Sequence, residues 1–248
     1  MLSTTEYPNK QAVYLVHGYK FDPESKGSDN PHKGLYGEWR PHLRNWPVYE
    51  FSYYSAPGII GYYRAWMEGY RGAYSWAYND LSIKAGRDLA SVLDSGINPP
   101  FNVICHSLGS RVSLLACRLG APVKRCILLN GAEMSDIGME TALQRPDIMF
   151  YNVYARTDAV VDYMAENFTP GGGGSAIGND GVTGVPNWIN IVLDDESIQE
   201  WGRSRGWDLQ GDNPNRISDH WMTYKHEGNW TLYNAILEGD QLSDIPEV

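Results

Sequence analysis

The chain has 248 residues, 42% of them apolar, and its 30 acidic against 20 basic residues give a formal charge of −10. That length permits one compact domain or two small ones and is enough to bury a sizeable core. The acidic balance, without any Lys/Arg-rich run, excludes nucleic acid and an anionic membrane surface as natural partners.

No apolar run reaches the roughly 20 residues that a bilayer-spanning helix needs. The first residues, MLSTTEYPNKQ, have neither the basic start nor the apolar stretch of a signal peptide, so the expected location is cytoplasmic. Cys105, Cys117 and Cys126 are an odd set without a C-x-x-C spacing, which argues against a disulfide framework and against zinc.

In chain order, six short and almost continuously apolar runs predict strands. They are Ala12–Val16, Val48–Phe51, Phe101–Cys105, Cys126–Leu129, Met149–Tyr154 and Ile189–Leu193. Such runs, rich in Val, Ile and Tyr and without polar alternation, suit strands buried on both faces in a parallel sheet. Helices are expected over Asp80–Leu93, Leu108–Leu119 and Trp230–Leu237, the last with Asn229 as its cap and Gly239 as its stop. The alternation predicts an α/β protein, a doubly wound and mostly parallel sheet flanked by helices, in one domain over residues 1–248.

Two segments interrupt the pattern. Gly58–Tyr78 concentrates seven tyrosines and tryptophans and reads equally as core packing or as a cap lining an apolar pocket. Pro170–Pro186 is glycine-rich and is expected to be a mobile flap or a turn-dense loop. The acidic run Asp194-Asp195-Glu196 lacks the spacing of a calcium loop and reads as a solvated turn.

The chemical signal is Cys105-His106-Ser107-Leu108-Gly109, between the strand FNVIC and an amphipathic helical pattern. A nucleophile elbow needs that context, because its serine sits on a strained strand-to-helix turn beside the N–H groups of the new helix. Gly109 would let helix and strands pass closely, and Cys105 stands where G-x-S-x-G has its first glycine. The plainer alternative is a strand–helix turn in which Ser107 only caps the helix.

VYLVHGY at Val13–Tyr19, followed by VICHSLGSRV at Val103–Val112, resembles the α/β-hydrolase superfamily, particularly its small esterase- and lipase-like members. The resemblance implies the α/β-hydrolase fold with its leading antiparallel strands trimmed, since the His-Gly strand begins early. It implies a serine hydrolase that cleaves carboxylic esters through an acyl-enzyme, with a small ester or acyl compound as substrate and with neither cofactor nor metal. The N–H groups of Tyr19 and Leu108 would form the oxyanion hole, a device whose single donors are typically worth about 10²–10³ in rate.

In the superfamily the chain order is serine, acid, histidine. After Ser107 only His220 and His226 remain, and His220, in a loop ahead of the last helix, is the better placed. Asp158, shortly after the strand MFYNVY, is the expected acid, with Asp162 and Asp136 as alternatives. Acyl transfer or thioester hydrolysis would use the same residues, and a binding module without catalysis would use none of them.

Overall fold

The computed structural model describes residues 10–55, 74–168, 174–212 and 216–247. The chain divides into two compact units, Met1–Lys124 and Arg125–Val248. The expected cap at 58–78 lies outside the described residues up to position 73, and so do residues 170–173 of the glycine-rich stretch.

In the first unit, β1 (Val13–Val16) lies between β2 (Val48–Phe51) and β3 (Phe101–His106), parallel to both. All four β1 residues and all six of β3 are buried, in keeping with their mostly apolar character. Fully burying one such aliphatic side chain is worth about 1.5–3 kcal/mol. Val16 pairs with Phe51 on one side and Cys105 on the other. The strands therefore end level, and the residues that follow, His17-Gly18, Ser52 and Ser107, emerge at one edge.

Helices complete this unit: α1 (Leu35–Trp39), α2 (Ser82–Asp94) and α3 (Gly109–Arg118). A π-turn, Ala77–Leu81, joins helical residues 74–76 to α2, so the helical run reaches further back than the expected start at Asp80. Arg111 of α3 holds that turn. Its Nε donates to the Tyr78 carbonyl at 2.8 Å and its guanidinium lies 3.8 Å over the Tyr78 ring. Carbonyls released by a π-turn need such outside donors.

The second unit has the order β4 (Val123–Leu129), β5 (Met149–Tyr154), β6 (Trp188–Val192), again parallel throughout. Around these strands run α4 (Ser135–Gln144), α5 (Ala159–Phe168), α6 (Glu196–Ser204), α7 (Arg216–Lys225) and α8 (Asn229–Glu238). Strands alternating with helices and pairing only in parallel give the expected α/β class. Among the described residues the one antiparallel contact outside the strands is a bridge between Met134 and Ala176. No helix among them is long and apolar enough to cross a membrane.

Three local expectations change. Asn229 does not cap α8: Gly228 stands at that position, and the buried Asn229 amide clamps the carbonyls of Gln210 and Met222 at 2.8 and 3.2 Å. The acidic run is a helix start, with Asp195 accepting from the Ser197 N–H at 3.0 Å as the cap of α6. The described part of the glycine-rich stretch is packed rather than loose. Ala176 and Ile177 are fully buried, and Val182 exchanges hydrogen bonds with the Asn190 amide at 3.3 and 2.7 Å. Its sparse apolar residues, hidden among glycines, supply the anchor.

Gly109 is the close approach that lets α3 start beside β1. A Cβ there would stand 2.6 Å from both the Val16 and the His17 carbonyl oxygens of the β1 end. Backbone oxygens cannot rotate aside, so Gly109→Ala is expected to destabilise by about 1–3 kcal/mol or more. A urea melt followed by tryptophan fluorescence measures this, and an unchanged midpoint would show that α3 moves away without cost.

Candidate active site

Ser107 sits between β3 and α3 with φ +53, the left-handed region that side chains with a Cβ enter only under constraint. It is 7% exposed. Its carbonyl accepts from Ser110 N–H at 2.9 Å, so the chain turns into α3 without delay. Leu108, already helical and fully buried, leads the helix, whose first N–H groups have no acceptor within it. Cys105 is fully buried with Sγ 3.7 Å from Ser110 Oγ, so a thiol fits where the motif has glycine.

The level ends of β1 and β3 bring the His-Gly turn against this elbow. A Cβ on Gly18 would lie 3.0 Å from Ser107 Cβ and 3.5 Å from Ser107 Oγ. Any larger residue at position 18 would crowd the hydroxyl. The turn is held from several directions. Tyr53 Oη donates to the His17 carbonyl at 2.9 Å, and Ser55 Oγ donates to the Gly18 carbonyl at 2.8 Å. Tyr36 Oη receives the His17 N–H at 2.9 Å and donates in turn to the Phe51 carbonyl. Tyr36, Tyr53 and Ser55 have no motif spacing, so the sequence reading missed them. Tyr19, the residue after Gly18, is half-buried with its ring edge-on to Tyr74 at 5.2 Å.

His17 is fully buried and stacks on Tyr53 at 4.2 Å with the rings nearly parallel. Its Nε2 accepts the Tyr53 N–H at 3.1 Å, which leaves Nδ1 as the protonated nitrogen, donating to the Gly18 carbonyl at 2.9 Å. Burial drives its pKa down to about 3, against the opposing pull of its hydrogen bond to the Gly18 backbone. A neutral ring is therefore part of the fold.

In the second unit, Asp158 closes the turn after β5 and is fully buried. Its Oδ1 accepts the N–H groups of Val160 and Val161 at 2.9 and 3.2 Å, which makes it the cap of α5. Its Oδ2 lies 2.7 Å from Nδ1 of His220, itself only 5% exposed. A carboxylate needs a donor, so the proton stands on Nδ1 and Nε2 is left as the acceptor. His220 lies within α7, not in the expected loop; the helix is amphipathic enough to form once it packs on α5. His226 is engaged elsewhere, with Nε2 2.9 Å from the Asp208 carbonyl. Asp162 accepts from Asn179 at 2.8 Å, and the exposed Asp136 accepts the N–H of Ile137 at 2.8 Å, beside the start of α4. Of the candidate acids and bases, the structure joins Asp158 and His220; Ser107 with its neighbours Gly18 and Leu108 belongs to the first unit. Among the described residues no group of three His, Cys, Asp or Glu side chains is arranged to hold a metal.

No family model and no curated protein matches the chain. Among solved structures it is similar to a dienelactone hydrolase-like promiscuous phosphotriesterase from metagenomic libraries, at 12% identity and a TM-score of 0.38, covering 91% of this chain and 86% of that one. It is also similar to a lipase-esterase related protein from Clostridium acetobutylicum, at 13% identity and a TM-score of 0.26, covering 87% of this chain and 66% of that one.

Two predictions follow from the buried groups. His17 is neutral in the folded state down to about pH 3, whereas an unfolded histidine takes up a proton near 6.5. The unfolded state therefore binds more protons in that window, so the stability His17 contributes is complete above about 6.5 and is lost as the pH falls toward 3. Melting temperatures from pH 7 to 4 should fall more steeply for the native protein than for His17→Phe, which keeps the stacked ring without the titration. For Asp158, the two oxygens separate two roles. Asp158→Asn keeps a good helix cap and should hold the melting temperature near native, whereas Asp158→Ala also loses the cap, about 1 kcal/mol. Equal loss in both variants would show that the ion pair, not the cap, carries the stability.

Proposed function

We propose that this chain is a serine hydrolase of the α/β-hydrolase superfamily, cleaving carboxylic esters through an acyl-enzyme on Ser107. The observation that carries the reading is the elbow itself: a serine at φ +53 between a parallel strand and a helix, with Gly18 pressed against its side chain. An ordinary helix cap has extended backbone angles and needs neither the strain nor the cleared space. The Asp158–His220 pair supports the same reading, because a proton held on Nδ1 makes Nε2 the unprotonated nitrogen, the one that can act as a base.

In this mechanism His220 takes the Ser107 proton while the serine oxygen attacks the ester carbonyl carbon. The N–H groups of Tyr19 and Leu108 receive the oxyanion. The imidazolium, stabilised by Asp158, gives its proton to the departing alcohol. Water, deprotonated by His220, then releases the acid and restores Ser107. Every step is carried by side chains and backbone of this chain.

A fluorophosphonate probe followed by peptide mass spectrometry should find label on Ser107, and none after Ser107→Ala. Hydrolysis of p-nitrophenyl esters should fall by roughly 10³–10⁶ in that variant, the range seen when a serine nucleophile is removed. Asp158→Asn should lower kcat by about 10²–10⁴ with little change in folding. Absence of label on Ser107 in the folded protein would overturn the proposal.

A further inference from the structure

Asn130 follows β4 directly and stands at φ +42, a left-handed conformation that asparagine tolerates better than most residues. It is fully buried. Its Nδ2 donates to the carbonyl of Asp219 at 3.0 Å, and its Oδ1 accepts the N–H of Ala155 at 3.2 Å. One partner only accepts and the other only donates, so the amide has a single orientation. A third bond, from its own N–H to the Val153 carbonyl at 2.9 Å, fixes the backbone from which the side chain reaches.

The two segments it ties are those that carry the acid and the base. Asp219 immediately precedes His220 on α7, and Ala155 stands three residues before Asp158. The bond between His220 Nδ1 and Asp158 Oδ2 joins residues 62 positions apart. Its alignment depends on where the two backbones are held, and displacements of an ångström are enough to spoil such a pair. The left-handed angle matters here as well, because an extended residue at position 130 would send its side chain elsewhere. Asp158 meanwhile is bound to α5 through its other oxygen, so it cannot follow α7 if the helix drifts.

We propose that Asn130 is the positioning residue of the Asp158–His220 pair, holding the end of β5 and the first turn of α7 in the register that keeps Nδ1 on the carboxylate. Asn130 touches no reacting atom and acts through the tautomer and direction of the imidazole. Its effect on rate rests on the serine-hydrolase reading; its effect on the pair does not.

The test reads the His220 ring by nitrogen-15 NMR in protein labelled at histidine, with His220→Gln for assignment. Two variants separate the contributions. Asn130→Gly keeps the left-handed backbone and loses both side-chain bonds. Asn130→Asp keeps the acceptor for Ala155 and loses the donor to Asp219. A third variant, Asn187→Ser, removes a buried asparagine that bonds the carbonyls of Ala142, Arg145 and Ile148 and does not touch the pair. The native ring should show the Nδ1–H tautomer alone. Both Asn130 variants should show a mixture of tautomers, whereas Asn187→Ser should lose stability and keep the native ring shifts. Unchanged ring shifts in both Asn130 variants would overturn the proposal, as would an equal change in Asn187→Ser. With p-nitrophenyl esters, kcat should fall roughly 10- to 100-fold in the Asn130 variants with KM nearly constant. If the ring responds and Ser107 takes no fluorophosphonate, the positioning stands and the hydrolase reading falls; if the ring does not respond while Ser107 is labelled at the native rate in every variant, the reverse holds.

Discussion

The contact between Gly109 and the end of β1 is the constraint on which the first unit turns. Helix α3 can start immediately after Ser107 only if its first residue passes over the carbonyls of Val16 and His17, and a hydrogen in place of a side chain is what allows it. With the helix pinned there, the chain has one residue, Ser107, in which to leave the strand and enter the helix, and it does so at φ +53. The strain is local, and its support comes from two fully buried strands whose ends are level. A rigid sheet edge is the usual place for such strain to persist.

The same edge explains why a buried histidine is tolerated at position 17. Its two ring nitrogens are each satisfied by backbone, one as donor and one as acceptor, and its face lies on Tyr53. Phenylalanine could supply the stack, but it could not bind the Gly18 carbonyl and the Tyr53 N–H together. The turn beside Ser107 is therefore shaped by a neutral imidazole and a ring of hydroxyls from Tyr36, Tyr53 and Ser55. Each hydroxyl bonds backbone, which directs main-chain groups rather than presenting side chains.

In the second unit one carboxylate serves two ends. Asp158 closes the first turn of α5 with one oxygen and binds His220 with the other, so the helix and the pair are set by the same side chain. Helix caps are among the stiffer positions available to an aspartate, because two N–H groups fix the plane of the carboxylate. Asp158 is thus both the cap of a helix and the partner of a buried histidine. Asn130 gives the arrangement its other anchor, outside both α5 and α7.

All six strands were legible in the sequence to within a few residues, most clearly β1 and β3, which are buried throughout and mostly apolar. The elbow was legible for a related reason: a serine between such a strand and an amphipathic helix, followed by glycine, leaves little other backbone to choose. Asp158 and His220 were legible only as an order along the chain. Short or weakly patterned helices escaped, among them α4 with Gly138 inside it and α7 around His220, since their stability comes from the surfaces they cover rather than from their own periodicity. The bond from His17 to Tyr36, the bond between Asp158 and His220 and the tie from Asn130 to Asp219 join residues 19, 62 and 89 positions apart. Such bonds leave no local pattern, because they depend on which strand ends are level and which helix packs on which, and only the tertiary structure decides that.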